Sequence, residues 1–238
     1  MKAVKIKINQ DAANYKVPHS FQKKESYPLP PFSTVIGMVH VAAGFKEYHP
    51  MQVSVAGTSF SSVDDMYNRY EFSNGVKFDP KRHQMKAWSP TRKKYIGITR
   101  GIASINLLTD IDLTLHIIPD KSDELETIFE ALKNPTQFLS LGRHEDIIRI
   151  ENVSIVELRE VTLEVEHDAK QAIWSPIENG FGGTTYNLNK NYILINVGAG
   201  VVHREFFKKL VAYVGVGFTF PVGTKLLFDS DGDIVFPV

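Results

Sequence analysis

The chain opens on a strict alternation, Met1-Lys2-Ala3-Val4-Lys5-Ile6-Lys7-Ile8, that predicts a strand near Lys2 to Ile8 with Val4, Ile6 and Ile8 on one face and Lys5 and Lys7 on the other. After Pro30-Pro31-Phe32 the period changes, and Ser33 to Ala43 reads as a short helix, capped by Ser33 or Thr34 and ended near Gly44. It is apolar around most of its circumference, which points to burial against a sheet. A second strand is expected near Gln52 to Phe60. A third lies within Ala103 to Ile118, where Ile111, Leu113, Leu115 and Ile117 alternate with Asp112, Thr114 and His116. Ser122 is the expected cap of a second helix carrying Leu125, Ile128, Phe129 and Leu132 at helical spacing and stopped by Asn134-Pro135. A fourth strand follows from about Ile147 to Leu158.

This β-α-β-β-α-β order predicts an α+β, ferredoxin-like domain over residues 1–158. Two segments exceed it. Residues 61–99, between the second and third strands, are far longer than an ordinary connection and read as a long β-hairpin insertion. Residues 159–238 read as a β-rich C-terminal region, with strands near Val161 to Glu166, Tyr192 to Val197, Tyr213 to Phe220, Lys225 to Phe228 and Ile234 to Phe236.

Charge adds what the pattern does not show. The 238 residues have a formal net charge of zero. Yet residues 1–100 hold 16 Lys/Arg against 7 Asp/Glu, and residues 101–238 hold 11 against 20. That asymmetry suggests one surface for a polyanion and an acidic one for a protein neighbour or water. With no cysteine there is no disulfide framework and no Cys-based zinc site. No apolar run approaches the roughly 20 residues that span a bilayer, so a soluble, cytoplasmic protein with no membrane partner is expected.

The inserted hairpin carries the sharpest chemistry. From Lys81 to Arg100 there are seven cations, Lys81, Arg82, Lys86, Arg92, Lys93, Lys94 and Arg100, with no acid, and Trp88 and Tyr95 are interleaved. Cations for phosphates beside rings that stack on bases are what single-stranded nucleic acid requires. The plain alternative is a solvated hairpin with Trp88 tucked into the core. Near the N-terminus, Lys16, His19, Lys23 and Lys24 precede the helix whose first amides, at Ser33 and Thr34, could face an anion; equally, Ser33 could simply cap. The turn Gly142-Arg143-His144-Glu145-Asp146 could bring backbone close to phosphate or a base edge, or Arg143 could pair with Glu145 or Asp146.

The run Pro30-Pro31-Phe32-Ser33-Thr34-Val35-Ile36-Gly37-Met38, with Leu141-Gly142-Arg143-His144-Glu145-Asp146 about a hundred residues on, resembles the fifth family of CRISPR-associated proteins, the RAMP subunit of type I Cascade complexes, over roughly residues 1–158. The resemblance implies an RRM-like RAMP domain whose insertion, within about Ser61 to Gly97, forms a thumb against the guide RNA. It implies a non-catalytic subunit, of the I-B kind, that caps the 5′ handle of the crRNA, contacts the backbone RAMP subunit and the large subunit, and reaches target DNA only through the complex. The RNA contacts expected are Lys23, Lys24, Ser33, Thr34, Lys81, Arg82, Lys86, Trp88, Arg92, Lys93, Lys94, Arg100, Gly142, Arg143 and His144, with hairpin and glycine turn converging into one cationic cradle.

Because some relatives cut the CRISPR repeat without metal, Tyr15, His19, His83 and Lys86 stand as candidates for an endoribonuclease. A generic RNA-binding scaffold is the other alternative. No cofactor or metal is expected: Asp229-Ser230-Asp231-Gly232-Asp233 starts like a calcium loop but lacks room for the closing glutamate before Val238, and reads as a turn between strands. Gly198-Ala199-Gly200 lacks the Gly-Lys-Ser/Thr of a phosphate loop.

Overall fold

A computed structural model describes residues 1–20, 22–198 and 202–238, with the side chains of 73–75 outside that description; Ala199 and Gly200 of the Gly198-Ala199-Gly200 run therefore lie outside the described residues. In chain order the elements are β1 (Lys2–Ala13), β2 (Lys23–Lys24), α1 (Phe32–Ala43), β3 (Met51–Lys77), β4 (Met85–Ser89), β5 (Lys94–Pro119), α2 (Glu124–Lys133), β6 (Arg149–Thr162), β7 (His167–Asp168), β8 (Ala172–Pro176), β9 (Thr184–Asn196), β10 (Val202–Val214), β11 (Thr219–Phe220), β12 (Lys225–Asp229) and β13 (Ile234–Val235). Among the described residues the fold is mostly β, a curled sheet with two α-helices and a short 3-10 turn at Ile177–Asn179. None of the helices is long and apolar enough to cross a membrane.

β1 lies between β6 and β5, pairing antiparallel with both, and β3 flanks β5, so the central order is β6-β1-β5-β3. The even positions of β1 bury Val4, Ile6 and Ile8 with Leu113, Leu115 and Ile117 of β5 and Val53 and Val55 of β3. α1 and α2 cover that face through Phe32, Val35, Val39, Ile128 and Leu132. At roughly 1.5–3 kcal/mol for each large side chain removed from water, this packing holds α1 despite its exposed, permissive Gly37.

Several local expectations are corrected. α1 starts at Phe32, not Ser33: Pro31 is the N-cap, and its carbonyl accepts the Thr34 N–H at 3.0 Å with no side-chain cap. The fixed φ of proline, −69° here, already suits that position. α2 likewise has Asp123, not Ser122, at its N-cap. Residues 163–166 lie beyond β6, and 215–218 form a turn instead of continuing β10 to Phe220. The strand β8, which periodicity did not disclose, buries Trp174 completely, and the indole N–H donates to the Pro30 carbonyl at 3.1 Å. That bond ties the proline-rich lead-in of α1 to the C-terminal strands.

Five strands after β6 extend both edges of the same sheet, β12 and β13 beyond β6 and β8, β10 and β9 beyond β3, while β7 and β11 pair with each other apart from it. The alternation placed Lys5 on the face opposite Val4 and Ile6, and there the β12–β13 turn covers it, leaving Lys5 only 1% exposed. Its ammonium meets Asp229 at 2.6 Å, Asp231 at 2.8 Å and Asp233 at 2.7 Å. His116 Nε2 lies 2.9 Å from Asp229. The calcium-like aspartate run thus surrounds a cation supplied by the chain itself.

Candidate nucleic-acid interface

The thumb is an outgrowth of the two middle strands. β3 and β5 pair without a register break from Ser61 opposite Thr109 to Phe72 opposite Ile98, and β4 adds a third strand against the start of β5. The return strand therefore belongs to the thumb well past residue 99. Opposed residues share a face, since side chains alternate along a strand. One face exposes Met66, Tyr70 and Phe72 with Ile102, whose exposure reaches 77%.

At the far end, Trp88 is 53% exposed and meets Tyr95 edge-to-face at 5.2 Å, so it is not tucked into a core. Lys86 sits 4.8 Å over the Tyr95 ring. Lys81, Arg82, Arg92 and Lys93 are exposed, with Lys94 at the start of β5 and Arg100 opposite Tyr70. Lys93 holds a left-handed φ of 48° at the hairpin turn. His83 is buried under Gly97, where any Cβ would run into the imidazole ring, and it accepts the Asp79 N–H at 3.0 Å. The tip therefore presents cations and rings together.

At the base, Lys23 pairs with Asp64 at 2.7 Å and Asn106 donates to the same carboxylate at 2.9 Å. The hydrogen bonds from both hold the Asp64 carboxyl below its ordinary range. Lys24 lies 4.0 Å over the Tyr67 ring. The glycine turn joins this region: Asn14 donates to the Asn106 carbonyl at 2.7 Å, and its backbone N–H donates to Asp146 at 3.0 Å. Asp146 also accepts the Arg143 N–H at 2.8 Å and pairs with the Arg143 guanidinium at 2.6 Å.

Gly142, at φ 118°, leaves no room for a side chain, because a Cβ would stand 2.7 Å from Asp146 Oδ2 and 3.0 Å from the Asn14 carbonyl. Arg143 is thus bound to Asp146 and Glu145, as the plainer of the two expectations had it, and His144 is fully out in solvent beside Glu145. Replacing Gly142 with alanine should cost about 2 kcal/mol, or roughly 4–8 °C in Tm. An unchanged melting curve would show that the turn tolerates the side chain.

The expected single cradle is corrected. The glycine turn sits at the thumb base, while roughly 40 Å of strand separates Asn106 from Lys94 at about 3.3 Å per residue. Ser33 and Thr34 line a different groove, between α1 and the hairpin of β9 and β10, with Lys190, Tyr192, Arg204 and Phe206. That hairpin also corrects the charge reading: residues 184–214 hold Lys190, Arg204, Lys208 and Lys209 against Glu205 alone. The acidic half of the sequence contains a basic surface because its acids lie mostly elsewhere. A count over the hairpin alone could have found it.

The four nuclease candidates do not assemble. The Tyr15 hydroxyl is wholly buried, donates to Gln10 at 2.7 Å, and is pushed well above its ordinary pKa by burial and by Asp146. His83 and Lys86 belong to the thumb, and His19 lines a cavity at its base.

Comparison with known proteins completes the picture. The family described as "CRISPR-associated protein (Cas_Cas5)" matches residues 3–196. Among solved structures, a chain of a "CRISPR RNA-guided surveillance complex" is similar at 16% identity and a TM-score of 0.56, over 91% of each chain. A "CRISPR protein from Archaeoglobus fulgidus" aligns over 99% of this chain and 98% of its own at 10% identity and a TM-score of 0.44. No curated protein sequence matches. The first of these structures shares the fold, and the family match runs through α1, the thumb and the glycine turn to the end of β9: the chain belongs to the Cas5 family of CRISPR-associated proteins.

Proposed function

We infer that this chain is a non-catalytic crRNA-binding subunit of a type I CRISPR surveillance complex, of the I-B kind, that caps the 5′ handle of the guide RNA in cytoplasmic antiviral defence. The observation that carries this reading is the thumb tip, where the half-exposed Trp88–Tyr95 pair stands among cations with no acid from Lys81 to Arg100. The ferredoxin-like description of the frame is supported by the central order β6-β1-β5-β3 with a helix in each crossover. The I-B kind rests on the sequence resemblance alone.

The apolar thumb face of Met66, Ile102 and Phe72 is the surface we assign to a neighbouring backbone subunit, because contiguous exposed apolar side chains mark protein contacts. The large subunit docks elsewhere on the body, and target DNA is met through the complex. Absence of cleavage is supported by the burial of Tyr15 and its separation from His83 and Lys86.

Purifying the chain with its bound RNA and sequencing that RNA tests the reading directly: a uniform 5′ end from CRISPR repeat sequence is expected, and random cellular RNA would overturn it. Incubation with repeat RNA in EDTA should leave the RNA intact. A specific cut that disappears on His19→Ala or His83→Ala would make the chain an endoribonuclease. Replacing Trp88 with alanine should lower RNA affinity by about 1–3 kcal/mol while leaving Tm nearly unchanged; the reverse pattern would return Trp88 to a structural role.

A further inference from the structure

The sheet ends differently on its two sides. At one end stands β13, two residues long and too short to template a further strand. At the other stands β9, 13 residues long and, among the described residues, paired with β10 alone. Lys190 divides β9: it is the extra residue of a bulge, since Asn189 faces Lys208 and Asn191 faces Phe207. A bulge and a lysine are devices by which proteins blunt an open strand edge. Beyond Lys190 that protection stops. The run Asn191-Tyr192-Ile193-Leu194-Ile195-Asn196 has no charged residue and no proline. Ile193 is 46% exposed and Leu194 65%.

The bare backbone narrows what can sit there. In an antiparallel pair, alternate residues turn both N–H and C=O away from the partner strand. Among the described residues, no backbone group outside the hairpin bonds residues 191–196. Another extended chain returns acceptor and donor in turn at the same spacing, which is a recurring mode of peptide recognition. Phosphates only accept, and this stretch of edge offers them no cation. Cations stand at its end instead. Burial and then the charge of Lys209 lower the Lys190 pKa below the ordinary lysine value, against the pull of Asp120. A carboxylate brought to that place relieves both effects. β9 itself contains no acid, so a second copy pairing edge to edge would supply none.

We propose that residues 191–196 of β9 accept an extended segment of a protein partner as an additional strand, apolar where it meets Ile193 and Leu194 and acidic where it meets Lys190. The inference rests on the place in a CRISPR complex argued above, and it names one means by which a neighbouring subunit is held.

The test uses the full-length chain, free and co-purified with the protein subunits of its complex. Amide hydrogen exchange across residues 191–196 should slow by at least about tenfold in the complex. Ile193→Lys places a charge on the edge, yet its cross-strand neighbour is Glu205, so the hairpin should keep its Tm. That variant should recover about tenfold less of the neighbouring subunits. It should bind single-stranded RNA as well as wild type or better, because a cation was added. Ile193→Thr, uncharged and equally suited to a strand, should retain the subunits. Unchanged exchange in the complex, or full recovery of the subunits by Ile193→Lys, overturns the strand addition and leaves the proposed function standing. Loss of RNA with the subunits retained would make this edge an RNA surface and overturn it too. A free chain that dimerises, and that Ile193→Lys makes monomeric, overturns it in favour of a second copy. If neither RNA nor subunits co-purify with wild type, the proposed function falls with it.

Discussion

Replacing Lys5 with methionine should destabilise the protein by about 3–5 kcal/mol, because it strands a buried carboxylate that has lost its cation. The corresponding fall in Tm is roughly 6–20 °C for a chain of this size. Lys5 and Asp229 are 1% and 0% exposed in their side chains, so water cannot take over either charge. Burial alone would pull the ammonium pKa down. The bonds to Asp229, Asp231 and Asp233 outweigh it and hold Lys5 above the ordinary lysine value. Burial likewise pushes Asp229 up, but His116, Lys5 and the Asp233 backbone hold it well below the usual carboxylate range.

The two shifts set opposite ends of a pH window. A carboxylate depressed on folding contributes stability that is complete above its unfolded pKa, about 4, and lost as acid drives the pH down toward the folded value. An ammonium raised on folding contributes below its unfolded pKa, about 10.4, and loses that contribution as pH climbs toward the folded value. Wild type should therefore keep the contribution between about pH 4 and 10, and Lys5→Met should lose stability throughout that range. The double variant Lys5→Met/Asp229→Asn should recover part of the loss, since it leaves no fully buried carboxylate without its cation. Equal melting of wild type and Lys5→Met would mean that the β12–β13 turn opens readily and hydrates the aspartates.

How much of this was legible in the chain depends on the distance between partners. Val4, Ile6 and Ile8 declared a buried face, and the structure buries them. Lys5 could not be read, because the strand that covers it is more than two hundred residues away and the aspartates of that turn look like an ordinary exposed loop until the sheet is assembled. The thumb tip was visible as a run without acids. Its depth was not: residues 61–72 and 100–109 mix serine, aspartate and apolar side chains, and only a few of them, such as Ile105 and Leu108 near the base, are buried, too few to impose a pattern. The cavity beside the thumb base was hidden for a third reason. Lys23 was singled out, but Asn187, Asn189 and Lys208 reach it only when β9 and β10 fold back over the loop before α1.

The tip and the base should separate cleanly by charge. Arg92→Ser, Lys93→Asn and Lys94→Gln together remove three cations, and asparagine is chosen at 93 because it tolerates the φ of 48° found there. Lys86 is left in place, since it lies over the Tyr95 and Phe78 rings and its loss would move them. Each phosphate neutralised on a single strand contributes about 0.7 to the slope of log affinity against log salt, so the triple variant should flatten that slope by up to about 2. At 0.1 M salt, one decade below the 1 M reference, the same change is an affinity loss of roughly a hundredfold. Near 1 M salt the two proteins should bind alike. A parallel slope with weaker binding at every salt concentration would show that the three residues act through the shape of the turn and not through phosphate, and would move the electrostatic grip to Lys23, Lys190, Arg204 and Lys208 around the body.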